Sequence, residues 1–439
     1  MPRAGADGQA VAAFDFVRRF AGMKPALSAA ALAARYGAAR LTAVVTLLVA
    51  AYFFTLEAFA AFGVYAALAN LAWAGVFLRY ENAVIAAADE TEARAAVRLC
   101  AVVGALLWGL ISLLALASIA LDLFPARLAL FFPLGLAGRA ALRLAMAAST
   151  REGDFPGLGR TVLIQALVQP LVLLALALAL ADGALCLVIA DAAGHALAAA
   201  YLCARRRALI LGSLEGFSRR EVAATARQWA SLPVLNLPGV LFGVAFAASP
   251  LLIMPLVAPP ALAGAVALAV RLFDAPTQIV VAATAPVMMN RLRARDDMSA
   301  SVFGRRLMAG FAALIGVAFL ALAAAFLLAL PWLEGTIFAS LAPVVWPVAI
   351  FQGALAVAGP LAEACALYRR QTALTLIHLA ALAAGGVALL AAWAAGPMTG
   401  LILLALAAMA RTAAIGERLR ALSLHARQET DRIRIEALP

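Results

Sequence analysis

Two stretches of this 439-residue chain, Gln228 to Val270 and Gln371 to Ala410, contain no Asp, Glu, Lys or Arg. Each is long enough for two membrane spans of ~20 residues. In hydrocarbon every backbone N–H and C=O must be satisfied internally, which leaves only helices and closed barrels. The alternating polarity of a membrane barrel is missing, while Ala and Leu, strong helix formers, dominate. The chain is 66% hydrophobic and 13% charged, against about 25% charged in soluble proteins. The fold class that follows is an all-α integral membrane protein.

Spans are expected at roughly 27–53, 61–82, 96–120, 128–149, 159–181, 184–204, 229–250, 260–288, 305–330, 339–366, 371–394 and 398–416, twelve in all. Residues 15–24, which mix aromatics with Arg, suit either a short interfacial helix or a plain tail. No cleavable signal peptide is visible, so the first span is expected to act as an uncleaved insertion signal. The formal charge is +11, carried by 33 Arg and one Lys. Arg127 is expected outside and Arg40, Arg139, Arg143 and Arg271 inside spans, which leaves 29 of the 34 cations in segments on one side. By the positive-inside rule that side is cytoplasmic, with both termini there, and an even span count follows. The basic balance is thus topological, and no soluble basic domain is present to bind nucleic acid.

The longest polar connection, 205–228, divides the chain into a six-helix lobe at 27–204 and another at 229–416, with a cytoplasmic segment at 1–26 and a tail at 417–439. A weak echo accompanies the division. Gly63-Val-Tyr-Ala opens span two and Gly264-Ala-Val-Ala opens span eight, and each run reaches an arginine near an acid, Arg79 with Glu81 and Arg271 with Asp274. Two repeats around a central pathway are a common transporter plan.

The connections are too short for a catalytic domain, and no convincing catalytic or nucleotide-binding motif occurs. The chain is expected not to be an enzyme, and to use no metal or cofactor. The four cysteines, Cys100, Cys186, Cys203 and Cys365, lie in or beside apolar runs without CxxC spacing and read as small buried hydrophobes. Candidate functional residues are therefore the intramembrane charges, each costing ~2.5–3.5 kcal/mol at a helix centre. Arg139 and Arg143 are four residues apart and share a helix face. An anion between them fits the planar donor fork of arginine; the alternative is that Arg143 reaches the interface while Arg139 pairs with an acid on another helix. Arg40 and Arg271 are further anion candidates, with an intrahelical Arg271–Asp274 pair as the alternative for the latter. Asp191 with His195, and Glu363 with His378, are candidates for proton coupling or for plain polar pairs.

Three stretches resemble a known family. Arg79-Tyr-Glu-Asn-Ala-Val-Ile followed by Asp89-Glu90, Thr55-x-Glu57-x-Phe59 with Gly63-Val-Tyr-Ala, and Gly264 through Arg271 with Pro276, Pro286 and Arg291 are similar to segments of the O-antigen (Wzx-type) flippases of the MOP superfamily. Tyr52 and Leu56 stand where that family usually has arginine and proline. The resemblance implies a two-lobed helical bundle with a central cavity in a bacterial inner membrane. Its implied cargo is an undecaprenyl-diphosphate-linked oligosaccharide destined for O-antigen, lipopolysaccharide or exopolysaccharide. Membrane lipids and polysaccharide polymerase machinery are the implied partners. Arg40, Arg139, Arg143 and Arg271 would supply the cations a diphosphate needs. An ion-coupled exporter of small molecules on the same fold, and a membrane glycosyl-transfer enzyme, are the alternatives.

Overall fold

The computed structural model describes residues 34–35, 37–122, 124–213, 215, 218–293, 305–366 and 371–436. The segments 1–26 and 15–24, and the start of the first expected span, lie outside the described residues. Twelve helices carry the fold: α1 (Gly37–Phe53), α2 (Leu56–Gly75), α3 (Glu90–Ala120), α4 (Ala126–Arg151), α5 (Phe155–Ala179), α6 (Gly183–Arg205), α7 (Leu237–Val257), α8 (Pro260–Arg293), α9 (Arg305–Leu328), α10 (Val345–Ala366), α11 (Gln371–Ala395) and α12 (Pro397–Glu436). Among the described residues, eleven helices are long and apolar enough to cross a membrane, and α1 is a shorter apolar helix. The protein is a multi-pass membrane protein.

Boundaries follow local chemistry. Asp89, Asp154 and Asp182 each accept a hydrogen bond from a backbone N–H of the first turn that follows, capping α3, α5 and α6, which satisfies donors a helix start leaves free. Span two is shifted from its expected position: α2 starts at Leu56 and ends at Gly75. Arg79 thus lies in a turn, and Glu81 opens a separate short helix, Glu81–Ala86. Leu78 and Arg79 both have positive φ, 51° and 70°, which costs ~1–3 kcal/mol per residue and persists only where the surroundings impose it. The tail is not extended chain, since α12 continues to Glu436.

The connection between the halves is also structured, with helices at Arg207–Gly212 and Arg219–Gln228. Arg98 of α3 holds it by donating to Glu221 (2.6 and 2.8 Å) and to the carbonyls of Ser213 (2.6 Å) and Glu215 (2.7 Å). A π-helical turn, Leu232–Asn236, then leads into α7. Pro233 lies in that turn and Pro238 just after it, and each removes a backbone donor.

Helices α3, α4, α5 and α6 pack with one another in the first half, and α7 to α12 do so in the second. The halves meet where α2 lies along α7 and α8. Two glycines make that seam close. A side-chain carbon at Gly264 would collide with the backbone carbonyl of Leu56, and one at Gly63 would lie 3.0 Å from the Ala267 side chain. The two glycines of the sequence echo therefore face each other's helices across the seam. Small residues let helix backbones approach in this way. Phe59, Tyr65, Leu268 and Phe273, all nearly inaccessible, fill the adjoining core.

Candidate functional site

At 1.5 Å per residue, Arg139 lies about 20 Å along α4, Asp191 about 12 Å along α6 and Arg271 about 16 Å along α8, counted from the helix starts. All are near the middle of a ~30 Å hydrocarbon core. Arg139 is 6% exposed. Its guanidinium donates to Asp191 Oδ2 at 2.6 Å and to Asn70 Oδ1 at 2.9 Å. Asp191 also accepts from Gln169 (3.5 Å). His195 Nδ1 donates to the Asp191 carbonyl (2.8 Å) and its Nε2 accepts from Gln165 (3.0 Å). That pattern describes a neutral imidazole. Gly138 allows this arrangement: a side-chain carbon there would lie 3.2 Å from the Ala196 backbone, so α4 and α6 pack closely.

The structure divides the Arg139 and Arg143 pair. Each has a carboxylate of its own, Asp191 for Arg139 and Glu81 for Arg143. Arg143 donates twice to Glu81 Oε1 (2.6 and 2.9 Å), once to the Trp73 carbonyl (2.8 Å), and lies 4.7 Å from the Trp73 ring centroid. Arg79 reaches the same Glu81 oxygen at 3.3 Å and donates to Asn236 Oδ1 at 2.9 Å. The family-like Arg79 and Glu81 thus form a three-residue ion cluster with Arg143, joined across the seam to the π-helical turn before α7. Glu81 Oε2 is buried without a hydrogen-bond partner.

Arg271 and Asp274 do not form the expected intrahelical pair. Three residues along a helix they point to different neighbours. Asp274 faces Arg40 of α1 at 3.9 Å and accepts from Gln278 at 3.2 Å. The Arg271 guanidinium lies over the Phe62 ring, 4.0 Å from its centroid, with Nε buried and unpartnered. Asp191 and Asp274 are both within its electrostatic reach. The Tyr65 hydroxyl and Arg139 Nε nearby are also buried without partners. Orphaned buried donors on three helices are unusual in a folded interior, and they mark a place for water or a ligand.

Glu363 and His378 do not pair. Glu363 is exposed on α10. His378 is buried and accepts a hydrogen bond from Arg411 Nε at 3.1 Å. Arg411 is the functional candidate that the charge count missed, because it directly follows a charge-free run and is near the expected end of its span. It lies within the apolar part of α12, Pro397–Leu422, and so belongs with the interior charges.

No family model and no curated protein matches the chain. Solved structures do match. The lipid II flippase MurJ in an inward closed conformation gives a TM-score of 0.63 at 9% identity, covering 93% of each chain. The eukaryotic MATE transporter AtDTX14 gives 0.56 at 14% identity, covering 91% of this chain and 97% of that one. An inward-facing multidrug resistance MATE transporter of the MOP superfamily gives 0.57 at 12% identity, covering 88% and 95%. The chain has the all-α membrane fold of these proteins.

Proposed function

We propose that this MOP-type fold works as a flippase, moving an undecaprenyl-diphosphate-linked oligosaccharide from the cytoplasmic to the outer leaflet of a bacterial inner membrane for cell-surface polysaccharide assembly. The observation that carries the reading is charge imbalance in the interior. Arg40, Arg139, Arg271 and Arg411 are set against Asp191 and Asp274. A cationic surplus deep in hydrocarbon is costly on its own, and a diphosphate headgroup offsets it. Arg271 is the anchor in this scheme: it sits at the seam, without a carboxylate within ion-pair distance among the described residues. Arg40 and Arg139 exchange Asp274 and Asp191 for phosphate oxygens as cargo enters. Asn70, Gln165 and Gln169 offer amides to sugar hydroxyls, and the lipid tail remains in the bilayer.

Alternating access needs contacts that can break. The Arg40–Asp274 pair is long, at 3.9 Å, and its side chains are 33% and 43% accessible, against 7% and 12% for Arg139–Asp191. Such a weak latch across α1 and α8 suits a seam that opens in every cycle. The expected orientation, with both termini cytoplasmic, places the Glu81 cluster at the cytoplasmic end of the seam. The second reading, an ion-coupled exporter of small molecules, draws on the MATE transporters among the structural neighbours and on the Asp191–His195 pair.

Complementation separates the two. A flippase-null strain carrying the wild-type gene is expected to regain surface polysaccharide, and Arg271→Gln is expected to reduce it at least tenfold at equal membrane abundance. Full restoration by Arg271→Gln, or wild-type export of a cationic dye without restored polysaccharide, defeats the flippase reading.

A further inference from the structure

Tyr65 of α2 is fully buried, at 0% exposure, yet its hydroxyl has no hydrogen-bond partner among the described residues. Its ring is held on two sides. It stacks on Phe62 with centroids 6.3 Å apart and meets Phe132 of α4 edge to face at 5.6 Å. A phenylalanine would keep both ring contacts and leave no orphaned polar group, so packing does not account for the hydroxyl. The position of its oxygen is informative. A side-chain carbon at Gly135 would collide with that oxygen, and would stand 3.8 Å from the Ala192 side chain of α6. The oxygen therefore enters the contact between α4 and α6. Gly135 is one helical turn before Arg139, and Ala192 directly follows Asp191. Both members of that ion pair act electrostatically on Tyr65. Asp191 is also short of donors. Its Oδ2 accepts the 2.6 Å bond from Arg139, whereas Oδ1 receives only a long bond of 3.5 Å from Gln169. His195 Nδ1, 3.6 Å from Oδ1, gives its proton to the Asp191 carbonyl instead. A carboxylate has about four acceptor sites.

We propose that Tyr65 is a positioning residue for this ion pair: its hydroxyl donates to Asp191 when Arg139 turns away to bind an anion. The inference rests on the cargo reading above for what draws Arg139 off, and on the geometry alone for the spare donor. A carboxylate stripped of its arginine in the interior is costly, and the exchange of Asp191 for phosphate oxygens leaves Asp191 in that condition. A hydroxyl on the adjoining helix, already desolvated and unbonded, offsets the cost when it arises. The hydroxyl is idle while Arg139 and Asp191 are paired, as in this structure, and engaged when they part. Arg271 is the rival donor, since Asp191 is within its electrostatic reach, but its guanidinium is engaged over the Phe62 ring. Because α2 also lies along α7 and α8, a new bond from Tyr65 to α6 carries the state of the first half to the seam.

Tyr65→Phe removes one oxygen and keeps the ring, so it separates the hydroxyl from packing. The first arm of the test needs no cargo. The full chain is unfolded thermally in mixed micelles, with Tyr65→Phe introduced into wild type and into Arg139→Gln, or into Arg139→Met where the glutamine variant does not fold. In wild type the midpoint is expected to stay or rise. In the background without Arg139 it is expected to fall by ~2 °C or more. A fall in both backgrounds would give the hydroxyl a fixed structural bond, and a fall in neither would leave Asp191 to Arg271 or to no donor; either result overturns the proposal. The second arm measures movement of undecaprenyl-diphosphate-linked oligosaccharide in proteoliposomes. Tyr65→Phe is expected to raise the half-saturating cargo level at least ~fivefold, the scale of one lost hydrogen bond, with the maximal rate within about twofold of wild type. Unchanged half-saturation overturns the proposal. No movement of this lipid by wild type refutes the cargo reading instead, and the unfolding arm then decides the role of Tyr65.

Discussion

Removing Asp191 should cost far more than removing it together with Arg139. The two form a 2.6 Å charge-assisted bond between side chains only 7% and 12% accessible. Asp191→Asn leaves a guanidinium in the interior whose remaining strong partner is Asn70 at 2.9 Å. Breaking one member of a buried pair costs roughly 3–5 kcal/mol, because the other charge loses its compensation. Replacing both members by neutral amides, Arg139→Gln with Asp191→Asn, removes the stranded charge, so much of that cost should be recovered. The expected coupling is at least ~1.5 kcal/mol, well above the ~0.5 kcal/mol scatter of independent sites. Equilibrium unfolding in mixed micelles, run on wild type, both single variants and the double variant, closes the cycle. Additive losses would refute the view that Arg139 and Asp191 balance each other, and with it the idea that cargo phosphate can take the place of the carboxylate.

Three further outcomes follow from the same geometry. Gly264→Ala should destabilise by ~1–3 kcal/mol through overpacking against the Leu56 carbonyl, whereas Gly310→Ala on α9, with nothing within 4 Å of the added carbon, should be neutral or gain up to ~1 kcal/mol of helix propensity; thermal unfolding of both compares them. Glu81→Gln strips the charge shared by Arg79 and Arg143 and should loosen the turn at Leu78 and Arg79, read as faster amide exchange over residues 76–86 with little change in α12. Arg98→Ala removes the bonds from Arg98 to Ser213, Glu215 and Glu221, leaving the Gln228–Glu92 bond (2.6 Å) to α3, and should release residues 207–221 to exchange while flipping or export activity persists; unchanged protection there would mean that apolar packing and the Gln228–Glu92 bond hold the connection.

Most of the architecture was legible in the sequence because hydrocarbon imposes a simple code. Long charge-free runs give spans. The errors came where local chemistry competes with hydropathy. Leu56 starts α2 five residues before its expected start because Thr55 already adopts an extended, helix-starting conformation. Arg79 left its span because two residues with positive φ break the chain there. The intramembrane charges were identified as a set, but not their partners. Spacing along one helix suggested Arg139 with Arg143 and Arg271 with Asp274. The structure pairs across helices instead, joining α4 to α6, α8 to α1, and α4 to the short helix at Glu81. Such pairings depend on helix rotation, which a single sequence does not reveal. Asp191 with His195 was the exception, being both close in sequence and part of one cluster. Arg411 was hidden by its position at the edge of a charge-free run, and only the packing of α12 against α7 and α11 brought it beside His378.

The central claim is that the interior arginines receive a lipid-linked diphosphate. Proteoliposomes test it directly: purified protein is reconstituted with undecaprenyl-diphosphate-linked oligosaccharide, and cargo reaching the far leaflet is counted by lectin capture or enzymatic trimming. Wild type is expected to move the lipid, with Arg271→Gln and Arg139→Gln each at least tenfold slower and the folded state intact. Transfer by both variants at the wild-type rate, or no transfer by wild type while a cationic dye is moved, would contradict the account.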